Sequence, residues 1–182
     1  VNILECVRQS HSVKSVLNVT TDKVYHNNEW EWGYRENEPL DGFDPYSNSK
    51  SCSELVTHSY KNSFFADNSV AISTARAGNV IGGGDWALDR IVPDCMRSWS
   101  KGDVVEIRSP KATRPWQHVL EPLSGYLQLG SELSRRPELN GESFNFGPQA
   151  EYSHTVQELL EHMSVRWHFD KPEAAYRITG DV

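Results

Sequence analysis

The sequence predicts an α/β fold built around a parallel β-sheet, and two observations indicate it. Helical and strand patterns alternate along the 182 residues, which is typical of βαβ units. The short run Val16–Val19 is mostly apolar and β-branched, like strands buried on both faces of a parallel sheet. No internal repeat or linker interrupts the pattern, so we expect one α/β body over residues 1–182.

The composition excludes several classes of protein. Apolar residues make up 37% and charged residues 24% of the chain, as in globular proteins. The net charge is -7 and the basic residues are scattered, so no nucleic acid partner is predicted. No apolar run approaches the roughly 20 residues that span a bilayer, and no signal-peptide layout opens the chain. We therefore expect no membrane association and a cytoplasmic location.

The cysteines and histidines suggest neither a disulfide framework nor a metal site. Cys6, Cys52 and Cys95 form no C-x-x-C pair, which suits free thiols in a reducing compartment. The histidines form no close-spaced ligand set, so no metal is expected.

The chain opens inside a helical pattern. Ile3, Leu4 and Val7 have helix spacing, and no capping residue precedes them. Because the first residue is Val1 rather than Met, we expect the chain to be a fragment. Residues 26–45, rich in Trp, Gly, Glu, Asp and Pro, are predicted to form a long packed loop.

The later elements follow from turn residues and apolar periodicity. A helix is predicted to begin near Pro45, whose fixed φ suits a first helical turn, and to continue to about Tyr60. The other predicted elements are strands at Val70–Ala75, Val104–Ile107 and Ser143–Phe146, and helices at Ile91–Trp99, His118–Leu133 and Thr155–Trp167.

Polar residues directly follow the first predicted strand, at Thr20, Thr21, Asp22 and Lys23. Ligands of open α/β sheets bind beyond the carboxyl ends of the strands, so these side chains are candidates for chemistry. A polar turn without function is the alternative interpretation.

Tyr46 and Lys50 lie four residues apart at the start of a predicted helix, so their side chains share one face. A free tyrosine, with a pKa of about 10, is a poor base at neutral pH, but a nearby ammonium favours the phenolate. The pair could therefore move a hydroxyl proton, although Tyr-x-x-x-Lys also occurs by chance in helices.

In combination, Thr21, Tyr46 and Lys50 resemble the catalytic triad of the extended short-chain dehydrogenase/reductase family. The segments at 20–25, 33–36, 44–50, 76–86 and 114–119 resemble, in order and spacing, the nucleotide-sugar dehydratases of this family, most closely the CDP-glucose branch. The resemblance implies a Rossmann-like doubly wound parallel sheet whose N-terminal βαβ units are missing. Residues 1–77 would then form half of the NAD-binding region, and residues 78–182 an intertwined, mainly nucleotide-sugar-binding part.

The resemblance also implies roles for the polar residues. Thr21 would hold the substrate oxygen, Tyr46 would exchange its proton, and Lys50 would activate the tyrosine and bind the nicotinamide ribose of NAD. Asp22 would be the general acid for the departing water. Related dehydratases carry Glu where this chain has Lys23, so the base at C5 is left open, and a solvated loop lysine is the alternative.

Three further residues are implied to bind the substrate. Asn79 would contact its phosphate or sugar, and the guanidinium fork of Arg114 would grip the diphosphate. Arg90 would have the same role or form a surface salt bridge. The triplet Gly82–Gly84 lacks the Gly-Lys-Ser/Thr of a phosphate loop and would instead allow close backbone approach to the nucleotide sugar.

The expected activity is NAD-dependent dehydration of CDP-glucose or a related nucleotide sugar, in deoxysugar biosynthesis such as that of O-antigen lipopolysaccharide. Another dehydratase, an epimerase, or a nucleotide-sugar-binding fragment without turnover are the alternatives. Because no glycine-rich turn of the G-x-x-G-x-x-G kind precedes the triad, the 182 residues alone are expected neither to hold NAD nor to be active, and NAD versus NADP is left open. Family members suggest a homodimer through residues near 1–10 and 45–62.

Overall fold

The structure is a computed structural model that describes residues 1–67, 69–149 and 152–180. These residues form two compact units. The first consists of Val1–Gly78 together with Val119–Gly147, and the second of Asn79–His118 together with the described residues from Pro148 onward. The division into a NAD-binding and a nucleotide-sugar-binding part stays a prediction.

The regular elements follow the predicted alternation for most of the chain. In order they are α1 (Asn2–Gln9), β1 (Ser15–Val19), α2 (Pro45–Phe64), β2 (Ala71–Ala77), β3 (Val80–Ile81), α3 (Ile91–Trp99), β4 (Val105–Ile107), β5 (Thr113–Arg114), β6 (Gln117–His118), α4 (Leu120–Leu133), β7 (Ser143–Phe146), β8 (His154–Thr155), α5 (Val156–Arg166) and β9 (Tyr176–Ile178). Short 3-10 turns occupy Asp22–Val24, Pro137–Leu139 and Pro172–Ala175.

A three-stranded sheet lies at the centre of the first unit, with the order β1–β2–β7 and parallel pairing throughout. Because successive side chains of a strand point to opposite faces, β1 and β2 each contribute to two apolar clusters. Val16 and Ile72 pack with apolar side chains of α1 and α2. Leu17 and Ala71 pack with Leu129 of α4. Helices thus cover both faces, which confirms the predicted doubly wound parallel arrangement.

The loop between β1 and α2 is packed through its aromatic side chains, as predicted. The rings of Tyr25 and Tyr34 stack with their centres 5.0 Å apart, and the Trp30 ring lies 5.4 Å from that of Tyr34. An isolated bridge between Tyr25 and Leu40 brings the two ends of the loop together. The chain therefore enters α2 from a fixed direction.

The second unit contains three two-stranded pairs in its described part. β3 pairs with β6 and β4 with β9 in parallel, whereas β5 and β8 are antiparallel. Its core includes Cys95, Trp99 and Leu160, and the Trp99 indole donates a hydrogen bond to the Ala175 carbonyl oxygen at 2.8 Å.

Candidate active site

Residues Thr20–Val24, here called the polar turn, directly follow β1 and carry three predicted site residues. Thr21 caps the 3-10 turn: its hydroxyl accepts a hydrogen bond from the Lys23 N–H at 3.4 Å and donates one to Asp22 Oδ1 at 3.0 Å. Thr21 is buried, Asp22 is half-buried and Lys23 is exposed. The polar turn therefore presents a hydroxyl bonded to a carboxylate, with a lysine beside them.

Asp44 fixes the start of α2 and so the position of Tyr46. Its Oδ1 accepts the N–H groups of Tyr46 at 2.9 Å and of Ser47 at 3.1 Å, and Pro45 occupies the first helical turn. The Ser47 hydroxyl donates to the other carboxylate oxygen, and this bond, with those from the two N–H groups, holds the pKa of Asp44 below its ordinary value. The negative charge of the Asp44 carboxylate also interacts favourably with the positive end of the helix dipole.

Tyr46 and Lys50 lie on one face of α2, as their spacing predicted. Lys50 Nζ is 5.9 Å from the centre of the Tyr46 ring. The Tyr46 side chain is 56% exposed, whereas Lys50 is half-buried. The phenol is therefore open to a ligand, and the Lys50 ammonium lies on the same side of the helix.

Ser51 joins the polar turn to α2. Its buried hydroxyl donates to the Val24 carbonyl oxygen at 2.7 Å and accepts the Gly42 N–H at 3.0 Å. Because Ser51 directly follows Lys50, this bond ties the polar turn to the helix segment with the Tyr-Lys pair. All five predicted catalytic residues thus lie on two directly joined elements of the first unit, while their roles stay predictions.

A buried ion pair close to these residues was missed by the sequence reasoning. Glu54 and Arg76 side chains are 3% and 2% exposed, and Arg76 Nε donates to the two Glu54 oxygens at 2.8 and 3.0 Å. Burial lowers the pKa of Arg76, but the hydrogen bonds and charge of Glu54 outweigh burial and raise this pKa. The signal in the sequence was the position of Glu54, four residues after Lys50 on the same helix.

Arg76 extends this network to the loop that precedes α2. Its Nη1 donates to Tyr25 Oη at 2.6 Å and to the Glu36 carbonyl oxygen at 2.9 Å. The Tyr25 hydroxyl in turn donates to Asn145 Oδ1 at 2.6 Å. Burial raises the pKa of Tyr25 although the Arg76 charge opposes this, so the phenol keeps its proton. The network therefore holds Tyr25, the residue that directly follows the polar turn.

The three predicted substrate-binding residues lie in the second unit. The Asn79 carbonyl oxygen accepts the Gln117 N–H at 3.0 Å, and exposed Arg114 donates to the carbonyl oxygen of the preceding residue at 2.8 Å. Arg90 precedes α3 and forms an exposed ion pair with Asp85, with Nε 3.4 Å from Oδ2. This ion pair is the alternative that the sequence left open for Arg90, and the substrate-binding roles stay predictions.

Nucleotide-sugar dehydratases and epimerases are among the known proteins that resemble the chain. CDP-glucose 4,6-dehydratase of Salmonella typhimurium is 50% identical over 186 residues, which cover 100% of this chain and 51% of that protein. The chain spans about half the length of the curated relatives it matches.

Two solved structures align with almost all of the chain at low identity. The dTDP-glucose 4,6-dehydratase from Streptomyces venezuelae, with NAD and TYD bound, aligns with a TM-score of 0.78 and 20% identity. The alignment covers 99% of this chain and 51% of the dehydratase chain. UDP-glucuronic acid 4-epimerase from Bacillus cereus, in complex with UDP-glucuronic acid and NAD, aligns with a TM-score of 0.81 and 15% identity. This alignment covers 99% of this chain and 52% of the epimerase chain. At these identities the likeness shows the fold, which is Rossmann-type α/β.

A family model described as GDP-mannose 4,6 dehydratase matches residues 1–167. This match takes in the polar turn, the Tyr-Lys helix and the three predicted substrate-binding residues. The predicted resemblance to nucleotide-sugar dehydratases is thereby confirmed. The chain belongs to the GDP-mannose 4,6 dehydratase family.

Proposed function

We propose that the full-length protein removes water from CDP-glucose and releases CDP-4-dehydro-6-deoxyglucose, with NAD as a recycled cofactor. The observation that carries the proposal is the attachment of the polar turn, with Thr21 and Asp22, to the helix segment with Tyr46 and Lys50. The 50% identity with the Salmonella CDP-glucose 4,6-dehydratase supports the choice of substrate. Asp22 favours a dehydratase, because a plain epimerase needs no acid for a departing hydroxyl.

The Tyr-Lys pair fits the nicotinamide end of NAD. The Lys50 ammonium has three N–H donors for ribose hydroxyls, and the exposed Tyr46 phenol lies beside it. The related dTDP-glucose dehydratase and UDP-glucuronic acid epimerase both contain NAD. When bound, NAD supplies reversible hydride transfer.

The residues of the first unit would divide the proton transfers among them. Thr21 would orient the 4-oxygen of the sugar, and Tyr46 would take the 4-hydroxyl proton. Once C4 is a ketone, the C5 hydrogen is acidic, and Lys23, exposed beside the other groups, or a neighbouring group would remove it. Asp22, half-buried and bonded to the Thr21 hydroxyl, would protonate the departing 6-hydroxyl.

Residues of the second unit would bind the rest of the nucleotide sugar. Arg114 is exposed, and its guanidinium fork matches phosphate oxygens. Arg90 would exchange its exposed partner Asp85 for a phosphate, because surface ion pairs contribute little stability. Asn79 would contact the phosphate or the sugar through its amide.

We also propose a cytoplasmic homodimer formed through α1 and α2. Exposed apolar side chains on these helices, Ile3, Leu55 and Phe64, support an apolar interface. Sedimentation of the full-length protein as a monomer at micromolar concentration would contradict the dimer.

All three cysteines of the described chain are free thiols, which suits a reducing compartment. No helix in the described part combines the length and the apolar character of a membrane span.

The test is to incubate the purified full-length protein with CDP-glucose and to follow the nucleotide sugar by mass spectrometry. The expected result is the loss of one water from CDP-glucose, together with the release of NAD when the protein is denatured. An isomer of unchanged mass would identify an epimerase instead. Binding of CDP-glucose without any conversion would identify a nucleotide-sugar-binding protein. UDP-glucose and dTDP-glucose, assayed in parallel, test the preference for cytidine.

A further inference from the structure

Glu54 completes a row of three functional side chains on α2. Tyr46, Lys50 and Glu54 are each four residues apart, so they lie on the same face of the helix. Exposure falls along the row, from the 56% exposed Tyr46 through half-buried Lys50 to Glu54, which is 3% exposed. The open end of the row carries the proposed chemistry, and the buried end holds a carboxylate inside the first unit.

The Glu54 carboxylate accepts hydrogen bonds from two strands of the sheet. Thr20 Oγ1 donates to it from the end of β1. Thr74 Oγ1 donates at 3.2 Å from β2, and Arg76 of the same strand donates through its guanidinium. The carboxylate is therefore fully supplied with donors in spite of its burial. Replacement of a buried ion pair by apolar side chains is often neutral in stability, so the burial of this pair is weak evidence for a stabilising role.

The same ion pair holds both ends of the polar turn. Thr20, its first residue, is bonded to Glu54, and Tyr25, the residue directly after it, is bonded to Arg76 at 2.6 Å. Thr21 and Asp22 lie between these two attachment points. Together with the Ser51 bond to Val24, the Glu54 carboxylate thus helps to fix their distance from Tyr46, which lies on the same helix.

We propose that Glu54, with Arg76 as its partner, is a positioning residue: it holds the Thr21 hydroxyl and the Asp22 carboxylate at a fixed distance from the Tyr46 phenol. Neither residue of the pair touches the reacting atoms. The catalytic consequence rests on the proposed function, whereas the positioning itself does not. Small displacements of catalytic groups, about 1 Å, can lower turnover on the order of 100-fold, so a defined link of this kind has a measurable effect.

The test compares two substitutions that each remove one hydroxyl donor from the same carboxylate. Thr20→Val removes the side-chain link between Glu54 and the polar turn, while the Thr20 N–H keeps its bond to the Ala75 carbonyl oxygen. Thr74→Val, the matched control, removes a donor from β2, together with the 2.8 Å hydroxyl bond to Ser143, and leaves the Thr20 link intact. In the full-length protein we expect Thr20→Val to lower kcat by roughly 10- to 100-fold with little change in KM. Thr74→Val should keep kcat near that of the wild type. Both variants should melt at a lower temperature, because each removes a hydrogen bond to the buried Glu54 carboxylate.

Thr20→Ser keeps the hydroxyl and should restore kcat. If Thr74→Val lowers kcat as much as Thr20→Val, Glu54 acts only through stability and the proposal is overturned. The same conclusion follows if Thr20→Val turns over normally.

Hydrogen exchange measures the positioning without reference to activity. Backbone amides of residues 20–25 should exchange faster in Thr20→Val than in the wild type and should be unchanged in Thr74→Val. Unchanged exchange in Thr20→Val would overturn the proposal. A wild-type protein that leaves CDP-glucose unconverted refutes the proposed function instead, and the exchange experiment still decides the role of Glu54.

Discussion

The Lys50 ammonium lies 5.9 Å from the centre of the Tyr46 ring, one helical turn deeper in the first unit and less exposed than the phenol. The Tyr46 phenol therefore contributes little to packing, and its hydroxyl can be removed without disturbing the fold. Lys50 is placed to interact both with the phenol and with a ligand bound next to it. Substitutions of the two residues should consequently have different effects.

Tyr46→Phe should lower turnover of CDP-glucose by roughly 10²- to 10⁴-fold, because the group that accepts the hydroxyl proton is lost. Affinity for CDP-glucose, measured by calorimetry, should be nearly unchanged, since the ring remains. Tyr60→Phe is the control: Tyr60 lies on the same helix, and its hydroxyl donates to Glu5 at 2.8 Å. Near-normal turnover of Tyr46→Phe would exclude Tyr46 from the reaction.

Lys50→Ala should reduce both turnover and the amount of NAD that remains with the purified protein, because Lys50 is assigned two roles. NAD content is measured by the absorbance of the NAD that denaturation releases. Lys61→Ala, farther along α2, serves as the control and should keep its NAD. A Lys50→Ala protein with full NAD content would restrict Lys50 to the proton transfer.

Asp22→Asn should separate oxidation from elimination. The variant loses the carboxylic proton for the departing 6-hydroxyl, while Tyr46 and Lys50 stay intact. In a single turnover with CDP-glucose, the absorbance of reduced nicotinamide should rise while the 4-keto-6-deoxy product lags far behind. Release of product at the wild-type rate would reduce Asp22 to a structural residue and favour an epimerase.

Cys95 should be inert towards thiol reagents in the folded protein. Burial, with the nearby charge of Asp94, raises the pKa of its thiol to about 12, and the thiolate is the reactive form. Peptide mapping after labelling with iodoacetamide at pH 8, chosen as roughly the pKa of an exposed thiol, should find Cys95 unmodified. The same residue labelled after unfolding in urea is the internal control. Rapid labelling of the native protein would contradict the buried position of Cys95.

The sequence was sufficient to predict the long elements, because each has its own apolar periodicity. The helix at Ile91–Trp99 and the strand at Ser143–Phe146 have the predicted bounds. The helix α2 continues to Phe64, beyond the predicted end near Tyr60, since no glycine or proline interrupts it there. Two-residue strands such as β5 and β8 could not be predicted, because a pair of residues has no periodicity and depends on its partner strand.

The same distinction applies to the site. The spacing of Tyr46 and Lys50 is local, and a helix places the two residues together whatever surrounds it. Glu54 and Arg76 meet across 22 positions, which only the packing of α2 on β2 determines. A charged side chain in a buried strand also contradicts the apolar pattern by which strands are found. The pairing of Glu54 with Arg76 could therefore not be predicted from sequence patterns, although the helix face on which Glu54 lies could be.

The first unit is completed by a segment that is synthesised late. Val119–Gly147 supply α4 and β7, whereas β1, the polar turn and α2 belong to Val1–Gly78. As the chain leaves the ribosome, Leu17 and Ala71 therefore stay uncovered until Leu129 has been synthesised. Strand β2 likewise lacks its second neighbour until β7 has been synthesised. A nascent chain that already carries every proposed catalytic residue still exposes one face of its sheet, and such surfaces are recognised by chaperones.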